Sequence, residues 1–205
     1  MIIAEQKRKE NIAEYLLYMY QVEDLVRASE FDLDRIEETI ISQFDADYAT
    51  KREMREWYKG HIDMLTAERK QKLGHMNILN DVVSELNELN LKLLHDPLNK
   101  EFKDIYDKAK ANVEALRMRS GHGTESDVQL ALNGLYGYLI LRLQKKEISK
   151  ETKEAFGSIS EWMGRLAEGW GRQGEGETRR RGEGERGRRG KRETGKEGEG
   201  EMTND

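Results

Sequence analysis

The sequence predicts an all-α protein, a single bundle of about seven helices over residues 1–170 followed by a disordered tail over residues 171–205. Three observations carry this reading. One proline in 205 residues, together with few β-branched clusters, favours helices over sheet. Apolar residues recur at three- and four-residue spacing through the first 170 positions, and no segment alternates with the period of two that a half-buried strand requires. Near Gly171 the composition changes abruptly. The remainder holds ten glycines, ten Lys or Arg, nine Asp or Glu, and Met202 as its one large apolar residue, too little to offset chain entropy.

The first helix is expected over Ala4–Ala28. Ile12, Leu16, Met19 and Val26 form one line, and Tyr15, Tyr18, Val22 and Leu25 an adjacent one. A short second helix spans Asp34–Phe44, with Ile36 and Ile40 inward. Thr50-Lys51-Arg52-Glu53 has capping-box spacing and opens a third helix carrying Met54, Trp57, Tyr58 and Leu65, with Gly74 as its stop. The fourth runs to Leu94 through Ile78, Val82, Leu86, Leu89 and Leu93. Asp96-Pro97 then reads as an N-cap and first-turn proline for a fifth, inward at Phe102, Ile105, Ala109, Val113 and Leu116. "SGHGTESD" breaks the chain, and Thr124 with Asp127 caps a sixth helix, "VQLALNGLYGYLILRLQKK". Ser149 caps a seventh, inward at Phe156, Ile159, Met163, Leu166 and Trp170. Helices one and six are apolar nearly all round, which marks central helices, so the two are expected to lie together. Gly134 and Gly137 inside the sixth imply close approach of another backbone, with the first helix as the expected neighbour.

Cysteine is absent, so disulfides, thiolate metal sites and cysteine nucleophiles are excluded. In MIIAEQKRKE the apolar residues precede the charges, the reverse of a secretory signal. The longest apolar stretch, Tyr15 to Tyr20, is far short of the ~20 residues that span a bilayer. These features predict a cytoplasmic chain without a membrane segment. Of 35 basic and 40 acidic residues, 25 and 31 fall within residues 1–170, so the body carries −6 and the tail +1.

The stretches "KRKENIAEYLLYMYQVEDLVR" and "LYGYLILRLQKKEIS" resemble the two signature stretches of a bacterial family known as a domain of unknown function. The resemblance covers about residues 1–170. It implies a small helical protein and brings neither substrate nor catalytic residues, and the glycine-rich tail departs from the family pattern.

Candidate sites come from positions where the apolar pattern is interrupted. Glu23 continues the spacing of Ile12, Leu16 and Met19, and Arg142 interrupts the run Leu139–Leu143, so the two are expected to meet as a buried pair that sets helix register. The alternative is a polar pocket for an anionic metabolite, with Arg142 and Arg27 as donors and Tyr15, Tyr18 or Tyr138 as walls. His61, His75, His95 and His122 fall on different segments, and none has the spacing of a metal site, so no metal and no cofactor is assigned. His61 reads as a hydrogen-bonded core histidine. Ser120-Gly121-His122-Gly123-Thr124 lacks the Walker lysine and a preceding strand and reads as a plain loop. No serine sits in a nucleophile elbow, so no catalytic residue is assigned and an enzyme is disfavoured. Arg179–Arg181 and Arg188-Arg189 in the tail are interleaved with glutamates and lack aromatics, which argues against RNA binding.

Function is therefore read first as a non-enzymatic binding or protein-interaction module. An anionic-metabolite binder or enzyme between helices one and six is the second reading, and RNA association through the tail the third. Trp57, Trp162 and Trp170, where exposed, would mark a homodimer or partner interface.

Overall fold

The computed structural model describes residues 2–121 and 124–194, and the side chains of residues 3–121 and 124–173. Among these residues the chain forms eight α-helices and one 3-10 turn: α1 (Ile2–Glu10), α2 (Ile12–Ala28), α3 (Leu33–Thr39), the turn Ile41–Gln43, α4 (Tyr48–Ala67), α5 (Asn77–His95), α6 (Lys100–Ser120), α7 (Asp127–Leu143) and α8 (Lys150–Thr194). The all-helical expectation holds. His122 and Gly123, residues 195–205 and the side chains from 174 onward lie outside the described residues; the backbone of the predicted tail over 171–194 belongs to α8.

The expected first helix is two. Asn11 adopts an extended conformation, with φ −156° and ψ 107°, and its side chain accepts hydrogen bonds from the amides of Ala13 and Glu14 at 3.0 and 3.1 Å. An amide oxygen that satisfies two orphan N–H groups makes Asn11 a start signal rather than a helix interior residue. Three other predicted starts are displaced, one of them at α7, where Ser126 rather than Thr124 or Asp127 is the cap and accepts from the Gln129 amide at 3.2 Å. Asp47, not Thr50, caps α4, accepting from the Thr50 amide at 2.8 Å. Asp96 spends its carboxylate on the Leu98 amide and the Asn99 side chain, at 3.0 and 2.8 Å, so Asp96-Pro97 is a turn and α6 begins only at Lys100. Gly74 does not stop α4, which ends at Ala67 where Arg69 takes the left-handed conformation, φ 57°.

α2 lies at the centre. Ile12, Leu16, Met19, Val22 and Val26 are buried along it, as is Tyr20, while Leu25 reaches solvent. α2 packs on α4, α7 and α8, and α8 packs most extensively on α6. In α7 the expectation of a central helix holds for the first two thirds only. Val128, Leu130, Ala131, Leu132 and Leu135 are buried, whereas Leu141 and Leu143 are exposed. In α5 the inward line is set by Leu79 rather than Ile78, which is half exposed. Trp162 is fully buried. Its indole Nε1–H donates to the side-chain oxygen of buried Asn90 at 3.1 Å, and its ring meets Tyr106 edge-on at 5.2 Å, so this tryptophan marks the core and not an interface.

The two α7 glycines have different reasons to be there. A Cβ placed on Gly134 would come 2.6 Å from a Leu116 methyl and 3.2 Å from the Phe156 ring, so the close neighbours are α6 and α8 rather than the first helix. A Cβ on Gly137 would meet nothing within 4 Å. Gly137→Ala is therefore expected to stabilise the protein by about 0.5–1 kcal/mol through helix propensity. Gly134→Ala should give no such gain, and urea unfolding midpoints of the two variants check the contrast.

Candidate functional site

Glu23 turns inward from α2 and is entirely removed from water. Its partner is not Arg142. One carboxylate oxygen accepts from the Met76 backbone amide at 2.8 Å, and the other lies 2.5 Å from Nδ1 of His75. A carboxylate only accepts here, so Nδ1 carries the hydrogen. The imidazole stacks on Tyr20 with ring centroids 3.5 Å apart and planes 13° from parallel.

One helical turn later, Arg27 donates to the carbonyls of Lys70, at 3.2 and 3.3 Å, and of Gly74, and also to Asp24 at 2.9 Å. Glu23 and Arg27 thus grip the 68–76 segment by its end and its middle. That segment opens α5, whose N-cap position is Met76, a residue with no capping side chain. The Glu23 and Glu68 carboxylates, bonded to the amides of Met76 and Asn77, supply the missing acceptors, and their charge suits the positive end of the α5 dipole.

The cluster reaches α7 through Tyr136, whose hydroxyl donates to Asp24 at 2.6 Å, and through Gln129, whose side-chain amide lies 3.4 Å from the Tyr20 hydroxyl. Burial pushes the Tyr20 phenol up to about 12, with Glu23 and Glu125 adding to it. Burial and the bond to Asp24 raise Tyr136 as well.

Helices α2 and α7 therefore do meet, but Arg142 lies beyond the contact. It is six residues past Tyr136, about 9 Å along the axis at 1.5 Å per residue. It is exposed, with its guanidinium carbon 5.9 Å from the centroid of Tyr138, which itself stacks on Phe156 at 4.7 Å. Of the six residues singled out in the sequence, Glu23 and Arg27 share one site, while Tyr138 and Arg142 share another. Tyr15 is half-buried with Arg8 5.6 Å from its ring centroid, and Tyr18 is half-buried elsewhere on α2. None of the six lines the recesses found among the described residues at Ile3–Trp57, Leu89–Gln173 or Asn112–Ile159. His75 was missed because its role depends on a carboxylate 52 positions away. The one local sign was a helix start without a capping residue.

His61 is buried, and its Nδ1–H donates to the Trp57 carbonyl at 2.7 Å. Among the described residues no three His, Asp or Glu side chains come together as a metal site, and no helix is long and apolar enough to cross a membrane.

A second feature has the form of a binding site. The break at Asn11 takes α1 off the line of α2, and Ile3 then forms one wall of a groove of about 400 Å³ with Phe44, Ala46, Met54 and Trp57. Trp57 is half-buried, its ring edge-on to Tyr58 at 5.1 Å. Glu5, Asp45 and Glu53 stand around this apolar floor, and none of them forms an ion pair among the described residues.

The fold and groove define an all-helical protein with an acidic-rimmed apolar recess. The chain belongs to the family described as Domain of unknown function (DUF4924), which matches residues 1–177. No curated protein and no solved structure matches it.

Two outcomes follow from the buried groups. Glu23→Leu leaves His75 and the Met76 amide without an acceptor and is expected to cost about 2–4 kcal/mol, whereas Arg142→Met should stay within about 0.5 kcal/mol, both read by chemical denaturation. Burial holds the His61 pKa below its ordinary value, against the opposing pull of Trp57 and Glu23. As pH falls below roughly 6.5 the unfolded chain takes up a proton before the folded one, so stability present above that pH is lost below it. His61→Gln should flatten the decline in Tm between about pH 7 and pH 5.

Proposed function

We propose that the chain is a non-enzymatic interaction module that docks a basic amphipathic segment of a partner protein in the groove between α1 and α4. The single observation that supports this reading is the groove itself: an apolar floor surrounded by three carboxylates without partners among the described residues. Apolar anchors of a helix or extended segment match such a floor, and lysines or arginines beside them match the rim. Trp57 offers a large, rigid contact surface of the kind that dominates binding energy at interfaces. A second copy of the chain is a poorer occupant. Its body carries −6 and would bring like charge to an acidic rim.

The test uses the full chain and a fluorescently labelled amphipathic peptide of leucine and lysine, followed by anisotropy. The expected result is saturable binding that weakens at least about tenfold in Trp57→Ala, and by a similar factor when Glu5, Asp45 and Glu53 are all changed to lysine. A matched leucine and glutamate peptide should not bind. Equal binding by the charge-reversed variant would overturn the proposal, as would a dimer that disappears with the Trp57 substitution.

A further inference from the structure

We propose that a second recess, bounded by the C-terminal half of α5, the start of α6 and α8, binds a small amphiphilic anion: an apolar body with a carboxylate or phosphate head. This site shares no residue with the groove between α1 and α4 and is independent of the reading given to it.

The recess has a volume of about 550 Å³. That lies within the roughly 300–1,000 Å³ of small-molecule sites. Leu89, Leu93 and Phe102 form its apolar lining, with Leu89 and Phe102 nearly buried. α8 contributes Gly169 at this point. A Cβ there would come 3.3 Å from a Leu93 methyl and 3.7 Å from a Leu89 methyl, so the absence of a side chain lets α8 lie against α5 without filling the space. At the edge stands Leu98, 90% exposed, an apolar surface with nothing yet packed on it.

The charges are the opposite of those in the groove. Lys92, Arg165 and Arg172 line the recess against one carboxylate, Glu101. Arg165 is already held by Glu101 and by Glu168, the latter at 2.9 Å. Lys92 and Arg172 form no ion pair among the described residues. Lys92 and Arg172, two cations without an ion pair among the described residues, stand beside an apolar floor in a body with an excess of six negative charges and select by sign. A neutral apolar molecule gains nothing from Lys92 and Arg172, and a cation is repelled. An anion with an apolar tail uses both halves of the site, and a guanidinium can meet a carboxylate or phosphate with two parallel hydrogen bonds.

The full chain is titrated with decanoate and with decyl phosphate below their micellar concentrations. Decanol serves as the neutral control, and leucine and methionine methyl resonances report the location. The expected result is saturable binding of at least one anion that shifts the Leu93 and Leu98 methyls. The double variant Lys92→Glu with Arg172→Glu, at exposed positions and with unchanged Tm, should weaken that binding at least about tenfold, the order expected from losing one charge-assisted hydrogen bond. Which of the two anions binds better identifies the head group. The proposal is overturned if neither anion binds, if decanol binds as tightly, if the double variant keeps its affinity, or if the shifts fall on Met54 in the other groove.

Discussion

The carboxylate of Glu23 is withdrawn from water at the middle of α2, and the arrangement around it depends on how that charge is satisfied. Left without partners, a buried carboxylate costs several kcal/mol, so the fold must bring donors to it. It brings them from the segment between α4 and α5: the Met76 amide and the His75 ring. The same contact supplies the cap that α5 lacks in its own sequence, so one interaction both neutralises a cost and starts a helix. Arg27 fastens the rest of the segment through the carbonyls of Lys70 and Gly74, and Asp24 and Tyr136 carry the network on to α7. α5 and α7 are thereby oriented about α2 by directional bonds, which close-packed aliphatic side chains alone do not specify.

Charge on this protein is distributed with contrast. The body is acidic as a whole, yet two of its recesses differ in sign: carboxylates stand around the groove formed by α1 and α4, and cations dominate the recess formed by α5, α6 and α8. Each pairs an apolar floor with charged groups that lack partners among the described residues. An apolar floor provides affinity without direction, and unpaired charges at its edge provide discrimination by sign, so the pairing is what separates a binding surface from a packing fault.

Much of the architecture was legible in the amino-acid order because helices announce themselves locally. The stripe Ile12, Leu16, Met19 and Val26 is buried as its spacing requires, as is the line Phe102, Ile105, Ala109 and Val113, and Ser149 caps α8 through the Thr152 amide. Boundaries were less legible. Asn11 with Glu14 three positions on was a start signal hidden inside a continuous apolar pattern, and the ends of α4 and α7 use left-handed Arg69 and Lys145 where a glycine would have marked the stop. Competition between acceptors also misled: the Asp96 carboxylate turns to Leu98 and Asn99 rather than to a helix beginning at Pro97.

The sequence by itself determined that the body is helical, where most of its buried stripes run, that Glu23 points inward, and that the body is acidic. Those properties follow from side-chain period and composition, which are local. Only the tertiary structure decided that Glu23 meets His75 instead of Arg142, that Trp162 sits in the core, and that Ile3 and Trp57 share a groove. Such partners are tens of positions apart, and which of them meet is decided by the angles and offsets at which helices pack, quantities set by the whole core together and carried by no single stretch of chain.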